Sequence, residues 1–165
     1  MRKLLVGLMA LGFVTLGATQ AQAQFRFGAN VSWATDTDFG LGARANFGLG
    51  EFSKRNPIEG QVTFDYFFPN GFDYWELSGN GIYRFDTSAE NLKPYAGAGL
   101  LYSHSSVNGC PGGYSCGSSD LGLNLIGGLR FNVKGTTAIP FVEARLEVRN
   151  GSQFVMAGGV LFGKP

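Results

Sequence analysis

Three groups of residues in this sequence have types and spacings that could carry out chemistry. His104 and Ser106 stand two positions apart, as a histidine base and a serine nucleophile could. The second group consists of paired acids that could divide the roles of general acid and general base: Asp65 with Glu76, and Glu143 with Glu147. The third group is the pair of cysteines, Cys110 and Cys116. Which of these groups has a function depends on the elements that position them.

The two cysteines enclose a short Pro-Gly-Gly-Tyr-Ser segment. In an oxidising compartment, thiols spaced this closely in a glycine- and proline-containing loop are expected to form a disulfide. Closing so small a loop would stabilise the fold by roughly 2 kcal/mol in the chain-entropy model. A metal site would require further ligands, and His104 is the one candidate nearby. The spacing therefore predicts a Cys110–Cys116 disulfide and no metal site.

The N-terminus has the three parts of a secretory signal. Arg2 and Lys3 are positively charged, an apolar run follows from Leu4 to Gly17, and Ala21-Gln22-Ala23 fits the small-x-small cleavage pattern. The apolar run is too short for a transmembrane helix, which needs about 20 residues. We therefore expect residues 1–23 to be a cleaved signal peptide and residues 24–165 to form one domain.

Eight stretches of residues 24–165 predict β-strands. Most of them alternate between apolar and polar side chains with a period of two, which is typical of strands. In the first stretch Phe27, Val31 and Trp33 oppose Arg26 and Asn30. The fifth and eighth stretches, 93–104 and 153–162, are rich in glycine and apolar on both faces, so the pattern defines their register less firmly.

The direction of the apolar faces separates a soluble barrel from a membrane barrel. The chain contains 15 Phe, 6 Tyr and 2 Trp, and most of these rings fall on the apolar faces of the stretches. The interior of an eight-stranded barrel is only wide enough for a filling of side chains or one small ligand. The rings must therefore point outward, into lipid. The sequence predicts an all-β, eight-stranded, antiparallel up-and-down transmembrane barrel, and disfavours a soluble lipocalin-like barrel.

The polar faces then line the lumen, where we expect a closed network of ion pairs. Charged groups are tolerated in such an interior when they are paired. The lumen cannot easily admit a substrate, so we interpret the paired acids as structural rather than catalytic. The formal net charge of +1 gives no basic surplus for binding nucleic acid. The predicted network contains five arginines and five acids: Arg26, Arg44, Glu59, Asp65, Glu76, Arg84, Arg130, Glu143, Arg145 and Glu147.

The strand pattern, the run from Lys93 to Leu100 and the run from Ile139 to Arg145 resemble the small outer-membrane β-barrel superfamily, which includes OmpA-, OmpX- and OmpW-type proteins and the opacity-like porin family. The resemblance implies location in the bacterial outer membrane and insertion by the barrel-assembly machinery. It also implies contact with outer-membrane lipid and lipopolysaccharide. We expect a monomer without a cofactor.

The resemblance leaves more than one function open, because a fold alone does not determine function. We favour a non-enzymatic structural or surface-interaction role with a closed lumen. The alternative is a conduit for small hydrophobic molecules, as the OmpW-type resemblance would allow; its inward candidates are Phe67, Tyr74 and Leu101. A lipid A-modifying enzyme is favoured less. A lipid A deacylase family carries a His-x-Ser pair like His104 and Ser106, but here Val107, not the family's asparagine, comes next.

Overall fold

The computed structural model describes residues 25–53, 56–89, 91–107 and 116–163, with the side chains of residues 51–56 excepted. The predicted signal peptide, residues 1–23, lies outside the described residues. Within them, no helix is long and apolar enough to cross a membrane. Eight strands account for most of the described chain: β1 (Arg26–Ala34), β2 (Asp38–Ser53), β3 (Asn56–Phe67), β4 (Phe72–Arg84), β5 (Leu92–Val107), β6 (Cys116–Phe131), β7 (Ala138–Val148) and β8 (Ser152–Phe162).

The eight strands form a closed antiparallel barrel in sequence order. Each strand pairs with its neighbour in the chain, and β1 closes the ring against β8 through a register that runs from Phe27↔Phe162 to Ala34↔Val155. Closure gives every strand two hydrogen-bonded neighbours, so no sheet edge is left. The predicted fold class is confirmed.

Burial alternates along the strands with the polar side chains inside. On β7, Glu143, Arg145 and Glu147 are buried, whereas Val142 and Leu146 are exposed. The extremes are Arg145 with 0% of its surface exposed and, on β6, Leu121 with 78%. This arrangement is the inverse of a soluble protein's and is favourable only when the outer surface meets lipid. The exposed apolar surface therefore confirms the membrane type of the barrel.

Aromatic side chains concentrate near the two ends of the outer surface. Near one end, the ring centroids of Trp75 and Tyr102 lie 5.6 Å apart. Near the other, Tyr83 and Phe85 lie 5.1 Å apart. Such rings mark the two membrane interfaces. Because the eight strands alternate in direction, Arg26 and Phe162 lie at one end of the barrel, which we call the inner end. We expect it to face the periplasm, because the longest connection between strands, from β5 to β6, belongs to the other end.

Two hairpins are longer than the sequence pattern predicts. The fifth predicted stretch ends at residue 104, but β5 and β6 stay paired as far as Val107↔Cys116. Similarly, β2 and β3 stay paired within residues 50–57, where the apolar–polar alternation is interrupted, with register shifts after Gly48 and Glu51. These extensions lie beyond the apolar band of the barrel. Residues 116–119 are exposed, so the backbone ladder of β5 and β6 continues there without the apolar alternation from which the strand boundaries were predicted.

Glycines make room where lumen side chains cross close to the barrel wall. A Cβ atom on Gly42 would lie 2.1 Å from Oδ1 of Asp65, and one on Gly128 would lie 2.4 Å from the ring of Tyr95. Both distances are far below van der Waals contact. A larger residue at either position would displace a side chain that belongs to the polar network.

We expect the folded protein to migrate anomalously in an electrophoresis gel unless it is boiled first. A closed barrel has no free edge from which unfolding can begin, so the folded form should resist the detergent at room temperature. The measurement compares heated and unheated samples of the mature protein refolded in detergent. Equal migration of the two samples, in protein that circular dichroism shows to be rich in β-structure, would contradict a closed barrel.

Candidate functional site in the barrel lumen

The structure places all ten lumen residues named above on the inner faces of the strands. Nine are buried, and the tenth, Arg84, lies near the inner end with a quarter of its side chain exposed. The lumen is narrow because the barrel has only eight strands. Side chains from opposite walls therefore meet, and they form three groups along the barrel axis.

The first group, which we call the inner cluster, consists of Glu59 and three arginines. Nη1 of Arg26 donates to Oε1 of Glu59 at 3.0 Å, and Nη1 of Arg130 donates to Oε2 at 2.7 Å. Nε of Arg84 lies 2.8 Å from Oε1. These residues come from β1, β3, β4 and β6, so a single carboxylate connects four strands around the inner end.

The second group, the central cluster, is built on Glu143 and Arg145 of β7. Arg44 binds Glu143 with both terminal nitrogens, at 3.0 and 3.2 Å, and Tyr95 donates to the same carboxylate at 2.8 Å. Nη2 of Arg145 lies 2.9 Å from Oδ2 of Asp65. Since β3 and β7 are diametrically opposite in an eight-stranded ring, this contact spans the lumen.

Arg145 is surrounded by more than one acid. Besides Asp65, its Nε lies 3.8 Å from Glu147 and 4.0 Å from Glu143. Asp65 also accepts hydrogen bonds from Asn30 at 2.6 Å and Ser32 at 3.0 Å. The structure therefore surrounds Asp65 and Glu143 with arginines and polar donors, an arrangement that stabilises these carboxylates rather than one that presents a free acid to a substrate.

The third group, the outer cluster, contains a residue that the sequence analysis missed. Arg149 follows β7 and bridges Glu76, at 3.1 Å, and Gln153, at 2.7 Å. It also donates to the hydroxyl of Tyr74, which in turn donates to Glu76. The signal that could have identified Arg149 is its phase, because it continues the inward series of Glu143, Arg145 and Glu147 along the chain.

Apolar side chains fill the lumen beside the outer cluster. Phe67, Tyr74 and Val155 pack with Ala34 in a buried cluster, and Phe72 packs against it. The sequence analysis named Phe67, Tyr74 and Leu101 as inward candidates, and all three are buried. Two smaller buried apolar clusters lie deeper in the lumen, and sequence reasoning did not place them there: Ile82, Tyr95 and Ile126, and Ile139, Phe141 and Leu161.

The His104–Ser106 pair does not form the contact that a catalytic pair requires. His104 points outward, where its ring lies 5.6 Å from that of Trp75. Its Nδ1 is 2.8 Å from Oγ of Ser119, the register partner of His104 on β6. Ser119 also accepts a hydrogen bond from Tyr102 at 3.1 Å. Among the described residues, no carboxylate bonds to His104 to orient it as a base.

One of the two cysteines of the predicted disulfide lies within the described residues. Cys116 is the first residue of β6 and pairs in register with Val107. Cys110 lies outside the described residues. The Cys110–Cys116 bond therefore stays a prediction. In the described part of the chain, no group of three or more His, Cys, Asp and Glu side chains could hold a metal ion.

Comparison with solved structures identifies the fold. The N-terminal β-barrel domain of Pseudomonas aeruginosa OprF aligns with a TM-score of 0.62 over 87% of this chain and 100% of that one, at 16% identity. This chain has the fold of the small outer-membrane β-barrels. The resemblance predicted from the sequence is thereby confirmed at the level of fold, which is the fold of proteins located in the outer membrane.

Two further small outer-membrane barrels are similar in the same way. Neisserial surface protein A aligns with a TM-score of 0.59 over 87% of this chain and 98% of that one, at 20% identity. Ail, the attachment invasion locus protein of Yersinia pestis, aligns with a TM-score of 0.56 over 85% and 97%, at 14% identity. The sequence matches no protein-family model and no curated protein.

Replacing Arg145 with methionine should reduce the free energy of unfolding by about 3–5 kcal/mol, because Asp65 and Glu147 would remain buried without their guanidinium. The matched control is Arg149→Met, which removes the same group from a position where 14% of the side chain is exposed. The control should cost less, since water can reach Glu76 when the arginine is gone. Urea unfolding in lipid vesicles, followed by tryptophan fluorescence, measures both. Equal costs, or a cost for Arg145→Met under about 1 kcal/mol, would contradict the assigned role.

Proposed function

We propose that this protein is a non-enzymatic outer-membrane barrel with a structural or surface-interaction role, whose lumen is closed by its charged and polar side chains. The observation that carries the proposal is the presence of ion pairs at all three levels of the lumen. The contact between Arg145 and Asp65 spans the diameter of the barrel, and Arg44 reaches Glu143 from a strand three positions away in the ring. A lumen crossed in this way leaves no wide path for solutes.

The outer end supports the surface-interaction part of the proposal. In the described part of the chain, it carries one cation, Arg149, which is bound to Glu76, and four aspartates: Asp36, Asp38, Asp73 and Asp120. This end therefore presents negative charge to the outside. Among the structurally similar proteins, one is named a surface protein and another an attachment invasion locus protein. Those names agree with a role at the cell surface.

The two alternatives have less support. A conduit for hydrophobic molecules would need an open apolar cavity in the outer half of the lumen. In that half, Phe67, Tyr74 and Val155 pack against one another. Beside them, Arg149 connects Glu76 to Gln153. A lipid A-modifying enzyme would need His104 within reach of a nucleophile and an orienting acid. Its described partner is Ser119, a neighbour on the adjoining strand that also binds Tyr102.

In planar-bilayer recordings, the refolded barrel should produce no steady conductance, because the inner, central and outer clusters each block the lumen. A general porin in the same bilayer is the positive control. The double variant Tyr74→Ala with Arg149→Ala opens only the outer cluster, so it should also remain silent. Large and steady conductance steps from the unmutated barrel would contradict a closed lumen. They would favour a conduit function over a structural or surface-interaction role.

A further inference from the structure

The inner cluster carries more positive charge than its acid can balance. Glu59 lies within 3.0 Å of Arg26, Arg84 and Arg130, and the other described carboxylate at this end, Asp86, pairs with Lys93. Counting only Arg84 and Arg130, two positive guanidiniums already share the single negative charge of Glu59. An uncompensated buried charge is costly, so the inner cluster is suited to accept a further anion.

Arg130 carries donors that its pairing with Glu59 leaves unsatisfied. Only 2% of the residue is exposed, and one of its nitrogens, Nη1, is bound to Glu59. Its Nε and Nη2 atoms are buried and lack a hydrogen-bond partner. Both oxygens of Glu59 already accept from the arginines, so this carboxylate is poorly placed to satisfy two more donors. Unsatisfied buried donors of a charged group carry a substantial desolvation penalty, and an anion beside them would remove it.

A cavity of about 160 Å³ adjoins the inner cluster at the inner end of the barrel. It is lined by Arg84 and Lys93, together with Pro57, Phe85 and the carboxylate residue Asp86. Lys93 pairs in register with Arg130, and Arg84 with Tyr95, whose ring lies 4.8 Å from the guanidinium carbon of Arg130. Arg84 thus links the cavity to the inner cluster. The Lys93–Asp86 pair, at 3.5 Å, is partly exposed, with 28% and 45% of the two side chains accessible, and water weakens such pairs.

We propose that Arg84, Lys93 and Arg130 form a binding site for a phosphate group at the inner end of the lumen. Guanidinium groups match the geometry of phosphate oxygens with paired donors, and an ammonium adds a point charge. A phosphate can carry two negative charges, which would offset the excess of the inner cluster. The phosphate can belong to a phospholipid headgroup of the inner leaflet or be free in the periplasm, because both present the same oxygens.

Titration with inorganic phosphate tests the site in the full mature barrel, refolded in nanodiscs of neutral phosphatidylcholine at constant ionic strength. Phosphate should raise the unfolding temperature, whereas an equivalent amount of chloride should not. Arg84→Gln should weaken phosphate binding about tenfold, the loss expected for one charge-assisted hydrogen bond. The matched control, Lys134→Gln, removes one charge from the turn between β6 and β7 at the same end and should change the affinity less than twofold.

The variant Glu59→Gln distinguishes a binding site from a merely structural cluster. Glu59 competes with the phosphate for the same arginines, so its neutralisation should tighten phosphate binding about tenfold. The variant should also depend on phosphate for stability more than the unmutated protein does. If it fails to fold in chloride, recovery of the folded form in phosphate is the same positive result. Loss of stability that phosphate does not restore would overturn the proposal.

A second set of nanodiscs, containing phosphatidylglycerol, distinguishes the two sources of the phosphate. If a lipid headgroup occupies the site, these nanodiscs should stabilise the barrel and abolish the response to inorganic phosphate. If free phosphate is the ligand, the response should be the same in both membranes. Either result supports a phosphate site. No response to phosphate or to phosphatidylglycerol, in the unmutated protein and in Glu59→Gln alike, would overturn it.

Discussion

The pairing of arginine with carboxylate across a narrow lumen is the interaction on which the rest of this structure depends. An eight-stranded barrel in lipid must place its polar side chains inside, and the interior is too small to hydrate them freely. Each charge therefore needs a partner within the barrel. The contacts Arg44–Glu143 and Arg145–Asp65 meet this need by joining distant walls. The same contacts close the lumen. The ion pairs therefore account both for the stability of the barrel and for the absence of a wide pore.

This requirement also determines where small and large residues stand. Arginine is long enough to reach across the lumen, but the walls next to it must then carry little bulk. Gly42 lies where any side chain would collide with Asp65, and Gly128 lies where it would collide with Tyr95. On the outer surface the same strands carry leucine, valine and phenylalanine, since lipid places no comparable limit on volume. At these two positions, glycine makes room for the polar filling of the barrel.

The architecture could be predicted from the sequence because apolar and polar side chains alternate with a period of two. Once the apolar faces are assigned to lipid, only one orientation of the strands is consistent with the pattern. Arg145 is predicted to point inward because it belongs to the polar face of its strand, and because the aromatic rings require the apolar faces to point outward. Other features depend on distances that no pattern encodes. That Glu59 would meet three arginines, and that His104 would meet Ser119 rather than Ser106, follows from the strand register. Arg149 lies one residue beyond β7, yet it continues the inward phase of Glu143, Arg145 and Glu147, so its position in the lumen could have been predicted by extending the alternation.

The most direct test of the account is a double-mutant cycle on Arg44 and Glu143. The free energy of unfolding would be measured in lipid vesicles for Arg44→Met, Glu143→Met and the double variant. Each single change should cost about 3 kcal/mol or more, because it leaves the opposite charge buried and unpaired. The double change should cost much less than the two single costs combined, which gives a coupling energy of about 2 kcal/mol or more. Costs that add to within about 0.5 kcal/mol would contradict the claim that charge pairing across the lumen holds the barrel together.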